Sequence, residues 1–427
     1  IILSEVGSYF NFWRTSITAG VVDSDRIDVA ASTTDVVLFK HAVVFEDALL
    51  LFSDRAQFLL SGDPGLTPKT AEITPVFNYD TYSSAPPIGV GRGTLMPYKA
   101  GKFSGVREIV RAGEQQFQDI LVSAQIPAYI SGDVTRIAGS SLQDVAVVLA
   151  DGDTSKAYVY KWLWNGNEKA LSSWSRWDFG SDASLLDVSF IESDLYMVVQ
   201  RADALHLERV SIATTLEDAS LPWQVRLDRR VSDADCLTSY NATPDTTLVT
   251  VPYSLAQATV TGEAGKASLV AVDAVTGVSI PITSLNTGSD IVTLAGNYDV
   301  GAAGSDFFIG FEYEFVFEFG QIALRDQRGE AQVPRQGRVH LHGGWVNVSG
   351  TAYFEAHVTR KGKATVVWPF TPPLDEDLTI GTVVLTDGRF RFPILERADR
   401  VTLELRSKSW LPCRFMAAEW DLTFSSQ

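Results

Sequence analysis

The stretch AVVLADGDTSKAYVY, residues 146–160, contains an apolar run, a polar turn and a second apolar run. β-branched and aromatic residues favour strands, whereas Asp and Gly favour tight turns. Both apolar runs are short, and the Asp and Gly residues lie between them. The stretch therefore predicts a hairpin of two β-strands.

The same pattern of strand, turn and strand occurs four times in the first half of the chain. The four copies are LLLFSDRAQF (49–58), TLMPYKAGKF (94–103), AVVLADGDTSKAYVY (146–160) and LYMVVQRADALHL (195–207). Their centres, at Leu51, Met96, Val148 and Met197, are 45, 52 and 49 residues apart, a spacing typical of the four-stranded blades of a β-propeller. A single blade cannot bury both of its faces, so each needs neighbours. Further blades can lie outside this chain or come from its C-terminal part.

Directly after the third copy, KWLWNGNEKALSSWSRWDFG (161–180) contains four of the ten tryptophans. Trp162 and Trp164 alternate with other residues and share one face of a strand. They can present a surface on which a sugar ring stacks, or they can fill the space between two sheets. Packing is the favoured interpretation, with NGN (165–167) as the turn that joins two strands.

Long amphipathic helical patterns are nearly absent, and short β-rich runs separated by Gly, Asp, Asn and Pro occur throughout. We predict an all-β protein. Residues 1–216 form β-propeller-like blades, residues 217–325 an inserted β-barrel or sandwich domain, and residues 326–427 a C-terminal β region that can complete the propeller.

Two segments carry more specific predictions. In EQQFQDILVSA (114–124) the apolar residues share one helical face and Pro127 follows, which predicts one short helix. In FFIGFEYEFVFEFGQIAL (307–324) the alternation predicts a two-faced strand, with Phe311, Tyr313, Phe315 and Phe317 on one face and Glu312, Glu314, Val316 and Glu318 on the other.

The charge balance bears on the kind of partner. The chain has 35 Lys and Arg against 52 Asp and Glu, a net charge of −17. Such a surface does not hold phosphate backbones by counterion release, and it repels DNA that comes close. We therefore expect no sequence-specific nucleic-acid binding.

The cysteines and the N-terminal residues exclude other classes. Cys236 and Cys413 are too few for a disulfide framework or a Cys-based metal site, and we expect buried thiols. The stretch IILSEVGSYFNFW (1–13) has no Met, no basic region and no long apolar run, so it predicts neither a signal peptide nor a membrane anchor. We expect the chain to begin inside a longer reading frame.

Three short motifs resemble ligand-binding loops. GEAGKAS (262–268) lacks the first glycine of a phosphate loop, and the strand-like ASLVAVDA follows where a helix is required. GVGRG (89–93) precedes another strand and predicts a turn. DGDTSK (151–156) lacks the length and the closing Glu of a calcium loop, so a β-turn is the better interpretation.

Histidines and acids are the remaining candidates for chemistry. His340 and His342 share a strand face and could bind a metal with His357, but hydrogen-bonded or solvent-facing histidines are favoured. A glycosidase needs two carboxylates at a defined separation, which sequence spacing cannot establish for an all-β chain. The acids considered for this role are Glu46, Asp47, Asp178, Asp375, Glu376 and Asp377. No Ser-His-Asp or nucleophile-elbow pattern is present. The sequence therefore predicts no catalytic, cofactor-binding or metal-binding residue.

Five segments in order along the whole chain carry a resemblance. They are YFNFW (9–13), DRIDVAAS (25–32), LLLFSDRAQFLLSGD (49–63), YVYKWLWNGNEKALSSWSRWDFG (158–180) and LPCRFMAAEWDL (411–422). Together they resemble tail tubular protein B, the nozzle family of short-tailed bacteriophages. Family members are similar to a β-propeller with inserted domains and extend further at the N-terminus.

The resemblance implies a structural virion protein of the phage tail, made in the host bacterial cytoplasm, with no enzymatic activity and no cofactor. It implies a hexameric ring at the distal end of the tail, through which phage DNA passes transiently. A tail adaptor protein, tail fibres and the host envelope at the tip are the other expected partners. The alternative is a carbohydrate-binding or glycan-hydrolysing β-propeller that acts at the host cell envelope, suggested by the tryptophans and the abundant acids.

Overall fold

The computed structural model describes most of the chain, which divides into two compact units, residues 1–214 and 215–427. The described residues are 1–13, 20–31, 36–80, 84–113, 116–166, 168–202, 204–213, 217–218, 221–260, 262–263, 266–299, 306–322, 324–325, 331–332, 337–372 and 381–426. Strands dominate both units, so the predicted all-β class is confirmed.

The first unit consists of a short ribbon and four antiparallel sheets that follow one another along the chain. The ribbon pairs β1 (Ile2–Leu3) with β2 (Ile27–Asp28). Sheet 1 contains β3 (Phe39–Phe45), β4 (Ala48–Ser53), β5 (Gln57–Ser61) and β6 (Glu72–Phe77). Sheet 2 contains β7 (Ile88–Val90), β8 (Gly93–Ala100), β9 (Phe103–Gly113), β10 (Gln116–Leu121) and β11 (Ile130–Ser131). Sheet 3 contains β12 (Val134–Ser140), β13 (Val145–Ala150), β14 (Lys156–Asn165) and β15 (Glu168–Asp178). Sheet 4 contains β16 (Ser184–Ile191), β17 (Asp194–Gln200) and β18 (Leu205–Ser211).

Each of the four predicted hairpins is present, one in each sheet. They are the antiparallel pairs β4 with β5, β8 with β9, β13 with β14, and β17 with β18. The alternation of apolar runs with polar turns was therefore a correct guide to strand pairing in this unit.

The four sheets pack face to face in chain order, because the inner sheets are apolar on both faces. In β13, Val145, Val147 and Leu149 pack with the core of sheet 4. Ala146 and Val148 lie between them in sequence and pack with Leu95 of sheet 2. Sheets 1 and 2 share a further core of Phe45, Leu50, Phe52, Met96 and Ile109. Stacked meanders of this kind are what propeller blades require; closure into a ring stays a prediction.

The predicted helix at 114–124 is wrong. Residues Gln116–Leu121 form β10, which pairs antiparallel with β9 from Gly113 to Arg107. The backbone groups of β10 complete the sheet edge, and this tertiary pairing outweighs the local helical spacing of Phe117, Ile120 and Leu121. Glu114 and Gln115 lie outside the described residues.

The second unit begins with a sandwich of two sheets. Its strands are β19 (Asp228–Ser232), β20 (Leu237–Asn241), β21 (Thr246–Thr250), β22 (Ala258–Thr259), β23 (Ala267–Asp273), β24 (Ser279–Ile280), β25 (Ile282–Asn286), β26 (Ile291–Ala295) and β27 (Phe307–Phe311). Sheet 5 has the order β19-β27-β23-β22 with β24 on β23, and sheet 6 the order β20-β21-β26-β25. Val249, Val292 and Leu294 of sheet 6 pack against Phe307 and Ile309 of sheet 5.

A second sandwich follows in the same unit. The remaining strands of the second unit are β28 (Phe315–Glu318), β29 (Leu324–Arg325), β30 (Ala331–Gln332), β31 (Gly337–Thr351), β32 (Phe354–Arg360), β33 (Val366–Phe370), β34 (Thr386–Arg397), β35 (Val401–Ser407) and β36 (Phe415–Ser426). Sheet 7 has the order β28-β35-β32-β33, sheet 8 the order β34-β31-β36, and β29 pairs with β30. Val346 and Phe392 of sheet 8 and Phe354 and Leu405 of sheet 7 belong to one buried core.

The continuous strand predicted over 307–324 is divided in the structure. β27 ends at Phe311 in sheet 5 and β28 begins at Phe315 in sheet 7, so the alternating residues belong to strands of two different sandwiches. The periodicity predicted both strands but could not show the break at Glu312–Glu314, because the alternation continues through it. The domain limits 217–325 and 326–427, and completion of the propeller by the latter, stay predictions.

Helices are almost missing from the described part of the chain. The two present there are single 3₁₀ turns, Asp233–Asp235 and Ala398–Arg400. No described helix is long and apolar enough to span a membrane.

Candidate functional surfaces

The tryptophan-rich segment forms the second half of β14 and all of β15, and Trp162, Trp164 and Trp174 pack in or against the core between sheets. Trp162 is 2% exposed in the core shared by sheets 2 and 3. The ring of Tyr160 stacks on Trp162 and on Trp174, with centroids 5.2 Å and 4.9 Å apart. The Trp174 Nε1 donates to the Val122 carbonyl oxygen at 2.8 Å. The packing interpretation is confirmed, and the interpretation of Trp162 and Trp164 as a sugar-stacking surface is wrong.

Trp164 lies near the end of the same hairpin, between two cations. The Lys169 ammonium is 4.8 Å and the Arg92 guanidinium 5.9 Å from the Trp164 ring centroid. Asn165 pairs with Glu168, so the predicted turn joins β14 to β15, and Gly166 adopts a φ of +61° there. Asn167 lies outside the described residues. Arg92 donates to the Gly166 carbonyl oxygen at 2.6 Å, which ties this turn to sheet 2.

Sequence reasoning missed a buried ion pair beside these rings. Lys169 of β15 pairs with Glu108 of β9, which is 3% exposed, and also donates to the Tyr160 hydroxyl at 3.0 Å. The alternation of side chains along β9 could have revealed it, since Glu108 occupies the same strand face as the apolar Val106 and Val110. A carboxylate at that position requires a buried partner. The pair therefore links the second and third sheets across their shared core.

The three histidines of the metal hypothesis each lie on the second sandwich with a different environment. His342 Nε2 is 2.7 Å from the Thr423 Oγ1, and His357 Nε2 is 2.7 Å from the Glu355 Oε2. His340 is exposed. Within the described ranges, no group of three His, Cys, Asp or Glu side chains could hold a metal ion. The predicted hydrogen-bonded or solvent-facing histidines are confirmed.

The outer face of sheet 7 carries a hydrogen-bonded polar network. The Tyr353 hydroxyl donates to Glu355 at 2.6 Å, and hydrogen bonds from Tyr353 and then His357 hold the pKa of Glu355 below its usual value. Burial, followed by the bond to Glu355, raises the pKa of Tyr353 to about 12. Arg406 donates to Glu404 at 2.8 Å and to Glu314 at 3.0 Å. These acids have cationic or hydrogen-bonding partners, which is the arrangement of a structural network.

The other candidate acids also have structural roles where they are described. Glu46 and Asp47 form the turn between β3 and β4, and both pair with Arg111 of β9. The Asp178 carboxylate accepts a hydrogen bond from the Gly180 backbone nitrogen at 3.0 Å, at the end of β15. Asp375, Glu376 and Asp377 lie outside the described residues.

Two of the three loop-like motifs form turns. GVGRG joins β7 to β8, with Gly91 at a φ of +61°. In DGDTSK the Asp153 carboxylate pairs with Lys156, whose hydrogen bond lowers the pKa of Asp153. In GEAGKAS, β23 begins at Ala267, so the strand predicted there is confirmed; residues 264 and 265 of that motif lie outside the described residues.

Both cysteines are free thiols, as expected. Cys236 is buried, and burial raises its pKa to about 12. Cys413 is half-buried, and burial also raises its pKa.

YFNFW (9–13), the first of the five segments that carry the family resemblance, forms an exposed aromatic loop between β1 and β2. Tyr9, Phe10 and Trp13 are almost fully exposed, Phe10 at 93%. The loop backbone is nevertheless held, because the Glu5 backbone nitrogen donates to the Asn11 carbonyl oxygen at 2.9 Å and the Arg26 guanidinium donates to the Phe12 carbonyl oxygen at 2.9 Å. Its sequence carried a family resemblance but gave no sign of this exposure.

Comparison with known proteins identifies the family. A family model described as bacteriophage nozzle protein matches residues 1–427. The tail tubular protein gp12 of Escherichia phage T7 is 29% identical over 436 residues, which cover 99% of this chain and 53% of that protein. The chain thus spans about half the length of the curated relative it matches.

Two solved structures are weakly similar to the chain. PorZ of Porphyromonas gingivalis is 10% identical over 52% of this chain and 27% of its own, with a TM-score of 0.24. An exo-β-1,3-galactanase of Phanerochaete chrysosporium is 8% identical over 90% of this chain and 94% of its own, with a TM-score of 0.23. At such TM-scores neither informs the fold or the function. The family match covers every residue of the chain, and the chain belongs to the bacteriophage nozzle protein family.

Proposed function

We propose that this chain is a structural, non-enzymatic part of the phage tail nozzle and forms the distal part of the DNA ejection channel. The observation that carries this proposal is the match of the nozzle family model to residues 1–427. The T7 relative, a tail tubular protein, supports it over 99% of the chain. The protein is accordingly a component of the virion, made in the host bacterial cytoplasm.

The physical properties of the chain support a conduit for DNA. A net charge of −17 gives a field that repels phosphate backbones at close range, so DNA can pass without being held. Sheets that are buried on both faces give a rigid wall, since packed β-cores are nearly incompressible. Transient passage without sequence-specific contacts is the interaction with DNA that these properties favour.

The finer partners are part of the same proposal. Six copies form a ring, which requires two different complementary surfaces on each copy. A tail adaptor protein lies above the ring, tail fibres attach near it, and the tip contacts the host envelope. The glycan-binding or glycan-hydrolysing alternative is not adopted, because Trp162 is buried and the candidate acids that are described have structural partners.

A labelled virion tests the proposal. The turn at Gly101 and Lys102 joins β8 to β9 and both residues are exposed, so a short peptide tag flanked by flexible linkers is inserted after Lys102, with Gly101 and its positive φ kept. Electron microscopy of phage carrying the tag should show six labels around the distal tail, bound by a tag-specific antibody fragment. Untagged phage are the control. Labels on the capsid, or particles that contain no copy of the chain, would contradict the proposed function.

A further inference from the structure

The two sandwiches of the second unit are joined by a short linker. The described strands of the first sandwich precede residue 312, and those of the second follow residue 314. The Glu312 nitrogen donates to the Ser268 carbonyl oxygen of the first sandwich at 2.9 Å. Glu314 accepts a hydrogen bond from Arg406 of the second sandwich at 3.0 Å. Tyr313 lies between these two anchored residues and outside the described strands, so the backbone can rotate there without breaking a strand.

A segment that precedes the first sandwich packs against both sandwiches. We call this segment, LPWQVRL (221–227), the strap. Every second residue from Leu221 to Leu227 is at most 9% exposed, and the residues between them are exposed or half-buried. The alternation is that of an extended chain with one buried face. The strap belongs to none of the described strands, so side-chain packing holds it in place instead of a sheet ladder.

The buried face of the strap completes a core to which both sandwiches contribute. From the first sandwich come side chains of sheet 5, namely Val270, Val272 and Phe308. From the second come side chains of the connections next to β34 and β36, namely Val383, Leu385, Trp410 and Leu411. The alternate residues of sheet 5, such as Ala271 and Ile309, pack inside the first sandwich, so sheet 5 is covered on both faces. Removing the strap would expose apolar surface of both sandwiches to water, which is unfavourable.

The strap and the two sandwiches meet most closely at Gly277, in the turn between β23 and β24. The Trp410 Nε1 donates to the Gly277 carbonyl oxygen at 3.0 Å, and the Arg226 nitrogen of the strap donates to the Trp410 carbonyl oxygen at 3.0 Å. Gly277 has a φ of +73°, and a Cβ there would lie 2.6 Å from the Trp223 ring. The junction therefore has no room for one more carbon atom.

Polar contacts attach the strap more firmly to the first sandwich than to the second. Asp218, just before the strap, is 9% exposed, accepts a hydrogen bond from the Val225 nitrogen at 2.6 Å and pairs with Arg230 of β19. Arg230 also donates to the Val225 carbonyl oxygen at 3.1 Å. Charge-assisted bonds of this kind are stronger than the neutral bonds at Trp410. If the junction opens, we expect the strap to stay with the first sandwich and the second sandwich to leave.

We propose that the strap is a latch that locks the two sandwiches of the second unit in one orientation. While Trp223 and Trp410 share the core, the two sandwiches move as one body. When they separate, the second sandwich rotates about the linker at Tyr313. Packed interfaces switch between discrete arrangements because they are not continuously deformable. The latch is a property of the second unit alone, so it holds or fails independently of the proposed nozzle function.

Distance measurements between the two sandwiches test the latch. Nitroxide labels are attached to Leu248→Cys in β21 and Val367→Cys in β33 of the full chain, since both side chains are exposed. The native thiols, Cys236 and Cys413, are replaced by alanine. Pulsed electron paramagnetic resonance should give one narrow distance distribution for this parent. Trp223→Ala removes the ring at the junction, and we expect a several-fold broader distribution.

Gly277→Ala disturbs the same junction from the first sandwich. It keeps every side chain of the strap but adds a methyl group close to the Trp223 ring, so it should also broaden the distribution. Gly262→Ala is the matched control, because Gly262 has a φ of +74° and its Cβ would meet open space. Phe370→Ala is a second control. It removes a buried ring from the core of the second sandwich alone and should leave the distribution narrow.

Hydrogen exchange of the same variants separates release of the latch from unfolding. The amides of β21 and β32 should stay as protected as in the parent, which shows that both sandwiches remain folded. Broadening with intact protection in at least one of the Trp223→Ala and Gly277→Ala variants is the expected result. The latch is wrong if both distributions stay narrow, or if they broaden only where protection is lost. A broad distribution in the parent, or equal broadening in the two controls, would also overturn it.

Discussion

Lys169 and Glu108 form a buried ion pair that joins the second and third sheets of the first unit. Removing one partner leaves the other charged in a low-dielectric core, which is far costlier than replacing both with apolar residues. We predict that Lys169→Met lowers the free energy of unfolding by about 3–5 kcal/mol, whereas the double variant Glu108→Leu with Lys169→Met recovers most of it. Chemical denaturation of the purified chain measures this difference.

An exposed pair is the matched control for that experiment. Lys40 and Asp54 pair at the surface, with nearly half of each side chain exposed. Lys40→Met should cost at most about 1 kcal/mol. Equal effects at Lys40 and Lys169 would show that burial does not matter to the Glu108 pair.

The packing of Trp162 gives a second prediction. Trp162→Ala removes a buried indole from the stack with Tyr160 and should lower the free energy of unfolding by about 3–5 kcal/mol. Trp13→Ala, at a side chain that is 82% exposed, should change it by less than about 0.5 kcal/mol. Thermal unfolding of both variants makes the comparison, and a small effect at Trp162 would contradict its role in the core.

The network on sheet 7 predicts a dependence of stability on pH. The folded pKa of Glu355 is depressed, so its contribution to stability is present above the ordinary glutamate pKa of about 4.3 and is lost as the pH falls through the lower folded value. Glu355→Gln should therefore flatten part of the acid side of the stability profile. Urea unfolding midpoints measured between neutral and acid pH test this prediction. If the midpoint of the Glu355→Gln variant falls with decreasing pH as steeply as that of the parent, Glu355 does not contribute to the pH dependence of stability.

Close packing at one glycine gives a fourth prediction. A Cβ at Gly105 would lie 2.6 Å from the Ser123 Oγ and from the Tyr98 ring, so Gly105→Ala forces β9 or its neighbours to shift. Overpacking of this kind costs about 1–3 kcal/mol. Gly388→Ala, where the added methyl meets open space, should be close to neutral. The difference in unfolding midpoint between the two variants is the measurement.

The proposed conduit predicts that added positive charge slows DNA passage. Lysine replacements at exposed acids that line the channel should retain phosphate groups and slow or stall ejection. The measurement is the single-particle kinetics of DNA ejection for a set of acid-to-lysine variants, with acid-to-glutamine variants as controls. The glutamine variants only remove the repulsion between the acid and DNA, whereas the lysine variants also attract the DNA phosphates. If no lysine variant differs from its glutamine control, electrostatic passage is the wrong mechanism.

The sequence predicted local strand pairing well and long-range placement poorly. The hairpin around Asp151 and Gly152 could be predicted because apolar runs and turn residues are adjacent in the chain. The sequence predicted a helix at β10 because its strand structure depends on pairing with β9. The alternation through Phe311 and Phe315 could not reveal that these two residues belong to strands of different sandwiches. Glu108 and Lys169 are 61 residues apart, so their pairing depends on how two sheets stack.

The burial of β13 has a consequence for how the third sheet finds its alignment. All six residues of VAVVLA (145–150) are buried, and a shift by one residue would still place apolar side chains on both faces. The strand therefore contains little information about its own register. That information resides in the adjoining turn, where the Asp151 carboxylate accepts a hydrogen bond from the Asp133 nitrogen at 2.7 Å and Asp153 pairs with Lys156. In this sheet, a few polar residues at the surface determine the alignment of an apolar interior.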